Sequence, residues 1–112
     1  MKRGDIFDAR LDPTEGSEQS GTRPVIVVSR NSINEVSPVV VVVPLTNAIH
    51  IKHLYPHTAL IAAGDGGLSV DSVALGGQVR AISKTRLIRL RGHLSDEALL
   101  KIEKILHVTF DL

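Results

Sequence analysis

Two polar residues at the borders of apolar segments have side chains that could act on a phosphate group. Arg23 lies between a polar loop, residues 12–21, and the apolar segment Val25–Val28, and Thr46 follows the apolar run Val39–Leu45. A guanidinium can hold two phosphate oxygens at once, and a β-branched threonine presents its hydroxyl at a fixed position. Cleavage of RNA through its own 2′-hydroxyl requires such stabilisation of charge on the phosphate. Arg23 and Thr46 are therefore a candidate catalytic pair, although an arginine before a strand is more often a surface residue.

Other residues could hold a single-stranded nucleic acid around this pair. Proteins that bind single strands combine cations that contact phosphates with aromatic rings on which bases stack. Besides Arg23, we expect Lys52, Arg80 and Arg86 to contact phosphates. Tyr55 is the one aromatic residue that we expect outside the core, and it is the candidate for base stacking. A loop tyrosine without such a role is nevertheless the more common case.

Three histidines within eight residues, His50, His53 and His57, raise the question of a metal site. Their spacing would align them on a helix, but Pro56 interrupts any helix there, and no carboxylate stands nearby to complete a zinc site. A solvated loop is the preferred interpretation. We therefore expect neither a metal nor another cofactor.

The charge of the chain is unevenly distributed although the formal net charge is only +1. No acidic residue occurs between Ser72 and Ser95, whereas five arginines and lysines fall there. This run predicts a basic face or edge, which would bind phosphates or an acidic partner. A solvated strand face is an equally good interpretation of the same pattern.

The elements that position these residues are mostly strands. The β-branched segments Val25–Val28 and Val39–Val43 are typical of strands inside a sheet. Strict alternation from Ile88 to Leu94 predicts a half-buried strand with Ile88, Leu90 and Leu94 inward, and residues 78–82 predict another strand. A helix is expected from a cap at Ser95 to about His107. The pattern indicates a mainly β protein that ends in an α-helix, built as a small barrel or sandwich.

The length and composition bound the organisation of the chain. Its 112 residues fit one domain, 1–112, with a thin core, and the 43% of apolar residues suggest that a second copy covers part of the surface as a homodimer. No segment is apolar for the roughly 20 residues that a membrane span requires. The absence of cysteine is compatible with a reducing compartment, and we expect a cytoplasmic protein.

The order and spacing of several segments resemble the MazF/PemK family of toxins, and the likeness covers essentially the whole chain. The segments that carry it are Arg3–Phe7, Leu11–Thr14, Gly16–Gln19, Thr22–Ser29, Val42–Thr46, Asp71–Val73, Gln78–Ile82, Lys84–Leu87 and Leu94–Glu97. The resemblance implies a type II toxin with an SH3-like barrel of short antiparallel strands and a C-terminal α-helix. It further implies a homodimeric, metal-independent endoribonuclease (mRNA interferase) that cleaves single-stranded RNA and is inhibited by a cognate antitoxin.

By this resemblance Arg23 and Thr46 take the catalytic positions. The residues that it and the preceding patterns assign to RNA binding are Ser17, Glu18, Gln19, Lys52, Tyr55, Gln78, Arg80 and Arg86. Many members of the family have an acidic residue where this chain has Gly77. This departure favours one alternative, a member that binds RNA or protein without cutting. A second alternative is a non-enzymatic poison like the gyrase-targeting toxins, which share the barrel.

Overall fold

The computed structural model describes residues 1–112 and contains seven strands and two α-helices. The strands are β1 (Asp5–Arg10), β2 (Thr22–Val27), β3 (Val39–Asn47), β4 (Thr58–Ile61), β5 (Ser72–Leu75), β6 (Arg80–Ser83) and β7 (Leu87–His93); the helices are α1 (Asn31–Val36) and α2 (Asp96–Phe110). All strand pairs are antiparallel, and the order in the sheet is β4-β5-β3-β2-β1-β7, with β6 also paired to β3. The expectation of a mainly β fold with a C-terminal helix is thus confirmed.

The long central strand β3 organises the sheet because it pairs with three other strands. Its first half pairs with β6, its middle pairs with β2 from Val42 to Pro44, and its last residues pair with β5 from Leu45 to Asn47. The run of β-branched residues explains this central position, since such side chains pack well on a sheet that is covered on both faces. Pairing with β2 ends at Pro44, so β3 continues beyond that residue with β5 as its partner.

Two apolar clusters form the core, and they lie on opposite faces of β2 and β3. Ile26 and Val43 belong to a larger cluster of 12 buried residues, whereas Val25 and Val42 belong to a smaller cluster of 7. Alternation along a strand sends successive side chains to opposite faces and therefore produces this division. Helix α2 covers the larger cluster and contributes Ala98, Ile102 and Ile105 to it.

Helix α2 begins as the sequence predicts and ends later. The Ser95 hydroxyl accepts a hydrogen bond of 3.1 Å from the N–H of Ala98, which satisfies one of the free donors in the first turn. The helix continues past His107 to Phe110 and ends where Asp111 adopts a left-handed conformation. Neither helix combines the length and the apolar content that crossing a membrane requires.

Two strand predictions were wrong in detail. Ile88 and Leu90 are 57% and 54% exposed, because β7 is the last strand of the sheet and nothing covers that face of it. The strand predicted to begin at Gln78 begins at Arg80, because Gly76–Gln78 forms a 3-10 turn. The alternation identified the strand, but it could not show which of its faces the rest of the chain covers.

Candidate active site

The loop between β1 and β2, residues 11–21, is closed at its base by two hydrogen bonds. The N–H of Leu11 donates to the carbonyl of Gly21 at 2.9 Å, and the carboxylate of Asp12 accepts the N–H of Gly21 at 3.0 Å. Near the tip of the loop, the carboxylate of Glu18 accepts the N–H of Glu15 at 2.6 Å. Hydrogen bonds within the loop therefore hold both its base and its tip, although its sequence is polar and rich in glycine.

A glutamine from the 3-10 turn between β5 and β6 holds the middle of this loop. The Oε1 of Gln78 accepts the N–H of Gln19 at 2.7 Å, and its Nε2 donates to the carbonyl of Ser17 at 3.2 Å. Nearby, the guanidinium of Arg80 donates to the carbonyl of Leu11 at 3.1 Å. The last residue of the 3-10 turn and the first residue of β6 thus bind the loop at three main-chain atoms.

Together, these elements form a cleft of about 550 Å³. Its walls are Pro13, Ser17, Glu18, Gln19, Pro44, Gly77, Gln78, Val79 and Arg80. Five of the residues predicted to bind RNA, Ser17, Glu18, Gln19, Gln78 and Arg80, lie in this set. Pro13 and Val79 also line the cleft; both lie in segments that carry the family resemblance, but neither was predicted to bind RNA.

Arg23 lies at the start of β2, directly after the loop. Its Nε donates to the carbonyl of Ser20 at 2.8 Å, and no carboxylate pairs with it. One nitrogen therefore anchors the guanidinium, while the two terminal nitrogens make no hydrogen bond within the chain. A guanidinium fixed in this way retains the pair of donors that a phosphate group accepts.

Thr46 and Arg23 lie on the same face of the sheet. Val25 of β2 is paired with Pro44 of β3, and Arg23 and Thr46 are each two residues beyond that pair in opposite chain directions. Side chains two residues apart share a face, so both project beside Pro44, which lines the cleft. Thr46 is only 5% exposed, and its hydroxyl makes no hydrogen bond within the chain.

The remaining predicted binding residues lie outside the cleft. Lys52 and Tyr55 are exposed in the connection between β3 and β4, where the Tyr55 ring stacks on His57 with 5.6 Å between ring centroids. Arg86 donates to the carbonyl of Arg10 at 3.1 Å and also contacts the carbonyl of Asp12. The structure thus does not bring these three side chains together with the five of the cleft.

The basic run does not form a free basic face. Arg89 and Arg91 both pair with Asp8, at 3.0 and 3.1 Å, and Lys84 contacts the carbonyl of Asn34. Arg80 and Arg86 donate to main-chain carbonyls, as described above. Every cation of the run therefore contacts an oxygen atom of the chain itself. Sequence reasoning missed this because the partners of these cations lie far away along the chain.

The three histidines do not converge with other potential ligands. No group of three or more His, Cys, Asp or Glu side chains is arranged to hold a metal ion. His57 instead packs against the cleft wall: its carbonyl accepts the N–H of Gly76 at 3.0 Å, and its ring lies beside Gly77. Two consecutive glycines, Gly76 and Gly77, are typical of a bulge or of a close backbone approach, and they were the available sign of this contact in the sequence.

Known proteins resemble this chain in both sequence and fold. Residues 2–110 match the family described as PemK-like, MazF-like toxin of type II toxin-antitoxin system. Endoribonuclease MazF9 of Mycobacterium tuberculosis is 37% identical over 117 residues, covering 100% of this chain and 98% of its own. Endoribonuclease EndoA of Bacillus subtilis is 39% identical over 112 residues, covering 100% and 96%.

Solved structures of lower identity share the fold. MazF from Deinococcus radiodurans superposes with a TM-score of 0.83 at 22% identity, covering 100% of this chain and 97% of its own. A mycobacterial endoribonuclease in complex with its cognate antitoxin superposes with a TM-score of 0.82 at 20% identity, covering 100% and 96%. The sequence matches extend over nearly the whole chain, and the chain therefore belongs to the PemK-like, MazF-like toxin family of type II toxin–antitoxin systems.

Proposed function

We propose that this toxin is an endoribonuclease that cleaves single-stranded RNA, mRNA included, and that residues 1–112 act as one toxin domain in the cytoplasm. Membership of the family supports this activity, as do two full-length relatives that are named endoribonucleases. The observation that carries it is the state of Arg23. Its guanidinium is anchored by one nitrogen to the loop that forms one wall of the cleft, and no carboxylate neutralises it.

The catalytic pair is Arg23 and Thr46, and the nucleophile belongs to the substrate. The 2′-oxygen of the RNA bonds to the adjacent phosphorus, the bond from phosphorus to the 5′-oxygen breaks, and that oxygen leaves with a proton. Negative charge builds up on the phosphate oxygens during this exchange. The terminal nitrogens of Arg23 and the hydroxyl of Thr46 donate hydrogen bonds to those oxygens, which lowers the barrier. No step requires a metal ion.

The cleft and its surroundings bind the RNA on either side of the cut. Ser17, Glu18, Gln19, Gln78 and Arg80 present polar groups to the nucleotides in the cleft. Lys52, Tyr55 and Arg86 contact the strand outside it. A small set of cations and one tyrosine suits a single strand, whose bases are free to stack and whose phosphates are accessible.

The decisive experiment is cleavage of an unstructured RNA by the purified protein in excess chelator. Wild type should cut the RNA and leave DNA of the same sequence intact, because DNA lacks the 2′-hydroxyl. Arg23→Ala and Thr46→Ala should each reduce cutting by at least about 100-fold, in line with the loss of a transition-state donor. Arg30→Ala, which removes an exposed cation beyond the opposite end of β2, is the matched control.

Circular dichroism and thermal unfolding of each variant show whether a loss of cutting reflects a loss of folding. If the wild-type protein binds RNA without cutting it, the chain is a member of the family that binds RNA but does not cleave it. If the protein neither binds nor cuts RNA but inhibits gyrase, the chain is a non-enzymatic poison like the gyrase-targeting toxins. Cutting by a folded Arg23→Ala protein at the wild-type rate would remove Arg23 from the mechanism.

The same proposal includes a homodimer. A groove of about 400 Å³ separates α2 from β4, the edge strand at one end of the sheet. Leu60 and Val108 line this groove and are 44% and 45% exposed. Exposed apolar surface beside an unpaired strand edge favours association with a second copy. Light scattering should give a mass close to twice that of the chain.

A cognate antitoxin is the remaining partner, and family membership supports it. An acidic, disordered antitoxin tail laid along the cleft would cover Arg23 and prevent RNA from entering. Cutting should therefore stop when the antitoxin is present in excess of the toxin. Unchanged cutting by the complex would place the antitoxin away from the cleft.

A further inference from the structure

We propose that His57 is the proton acceptor for the 2′-hydroxyl in RNA cleavage. This inference rests on the proposed ribonuclease function and adds a third catalytic residue to Arg23 and Thr46. Neither of those two can accept the proton efficiently, because a guanidinium has no acceptor and a hydroxyl is a weak base. The reaction therefore needs a group elsewhere in the site.

The cleft itself offers few bases. Glu18 is the only carboxylate among its walls, and one of its oxygens already accepts the N–H of Glu15 at 2.6 Å. This hydrogen bond holds the carboxylate against the main chain of its own loop. The other ionisable side chain of the cleft is Arg80, which has no acceptor.

His57 stands immediately behind a wall residue that has no side chain. A Cβ placed on Gly77 would lie 3.2 Å from Cδ2 and 3.7 Å from Nε2 of His57, and no other group outside its chain neighbours lies within 4 Å. Gly77 does not have a positive φ, so its backbone would accept a larger residue. Because Gly77 has no side chain, the imidazole lies against the main chain of a residue that lines the cleft.

The imidazole is held in place while its nitrogens stay free. The carbonyl of His57 accepts the N–H of Gly76 at 3.0 Å, and its ring stacks on Tyr55 with an angle of 18° between the planes. Its ring nitrogens make no hydrogen bond in the chain, and they are not sealed from solvent. By contrast, the ring of His93 contacts Asp5 at 2.8 Å, and that of His107 contacts the carbonyl of Leu112 at 3.4 Å.

In the proposed step, the neutral imidazole of His57 takes the proton of the 2′-hydroxyl as the 2′-oxygen bonds to phosphorus. The bond from phosphorus to the 5′-oxygen breaks, and the 5′-oxygen takes a proton from water. The imidazolium returns its proton to the resulting hydroxide. The products are a 2′,3′-cyclic phosphate and a 5′-hydroxyl, and no other reactant is consumed.

The test compares single-turnover cleavage rates of the wild type, His57→Gln, His57→Ala and His53→Gln. A general base contributes about 10²–10⁴-fold, so His57→Gln should cut at least about 100-fold more slowly. It should bind an uncleavable RNA with a 2′-deoxy residue at the cut site as tightly as the wild type. His53 is exposed in the same connection and has no assigned role, so His53→Gln should cut normally.

Added imidazole provides the second measurement. It should restore the rate of the folded His57→Ala protein by at least tenfold, since the free base can enter the space left by the ring. A wild-type rate in His57→Gln, or no restoration in a folded His57→Ala protein, would overturn the proposal. So would a rate loss found only in Glu18→Gln. Failure of the wild type to cut at all would instead contradict the ribonuclease function itself.

Discussion

Gln78 and Gln19 are joined by a hydrogen bond of 2.7 Å in which the side-chain oxygen of Gln78 accepts the main-chain N–H of Gln19. The Nε2 of the same side chain donates to the carbonyl of Ser17 at 3.2 Å. A single side chain thus fixes two main-chain atoms of the loop that forms one wall of the cleft. Gln78 therefore has a structural role in addition to any contact with RNA.

Removal of this side chain should loosen the loop and weaken RNA binding. Each hydrogen bond contributes about 1 kcal/mol, so the loss of two should raise the KM of Gln78→Ala by roughly tenfold or more. Gln78→Glu keeps the acceptor for Gln19 and loses the donor to Ser17, so its KM should be intermediate. Steady-state cleavage of an RNA with a single cut site measures both variants.

A matched control for this prediction lies in the same loop. The hydroxyl of Thr14 donates to the carboxylate of Asp12 at 3.1 Å, and Thr14 does not line the cleft. Thr14→Ala should therefore leave the KM unchanged although it also removes a hydrogen bond of the loop. An equal KM in Gln78→Ala and wild type would show that the loop keeps its position without Gln78.

The salt dependence of RNA binding should identify the cations that contact phosphates. When the logarithm of the affinity for a single strand is plotted against the logarithm of the salt concentration, the slope is about −0.7 for each phosphate that the protein neutralises. Lys52 is exposed and makes no ion pair, so Lys52→Ala should reduce the slope by about that amount. Arg30→Ala should leave the slope unchanged, because Arg30 lies beyond the opposite end of β2. Fluorescence anisotropy with an uncleavable RNA at several salt concentrations measures the slopes.

Much of the fold follows from local patterns in the sequence. The β-branched residues of β2 and β3 mark central strands, and Ser95 with the spacing of Ile102 and Ile105 marks helix α2. These signals are reliable because backbone preference and side-chain alternation act over a few residues. The exposed face of β7 could not be predicted in this way, since its exposure depends on the place of the strand in the sheet.

The site was only partly predictable for a similar reason. Arg23 and Thr46 were predicted as the catalytic pair from their positions next to apolar strands together with the family resemblance, and the register of Val25 with Pro44 agrees with a shared face. The contacts of Arg80 and Arg86 with loop carbonyls could not be inferred, because a charge pattern does not identify the acceptor. His57 was hidden because its proximity to Gly77 arises only when β4 pairs with β5.

The ion pairs of Asp8 should differ in their contribution to stability according to exposure. The side chains of Asp8 and Arg91 are 16% and 17% exposed, whereas that of Arg89 is 69% exposed. Asp8→Ala leaves the guanidinium of Arg91 partly buried without its partner, which should lower the free energy of unfolding by about 1–3 kcal/mol. Arg89→Ala should change it by less than about 0.5 kcal/mol. Urea unfolding measures both, and equal effects would contradict this division.

Two glycines of the turn before β5 allow a test of close backbone packing. Gly64 and Gly67 both have a positive φ, of 93° and 74°. A Cβ on Gly64 would meet nothing within 4 Å, whereas one on Gly67 would lie 2.2 Å from the carbonyl oxygen of Arg91. Gly64→Ala therefore carries only the strain of the left-handed conformation, about 1–2 kcal/mol.

Gly67→Ala carries the same strain and also forces the turn away from β7. Because the obstructing atom belongs to the backbone of β7, no side-chain rotation can relieve the clash. We expect Gly67→Ala to lose more than about 4 kcal/mol or to fail to fold. Chemical unfolding followed by circular dichroism separates the two variants. Similar stability of both proteins would mean that the turn can move from β7 at little cost.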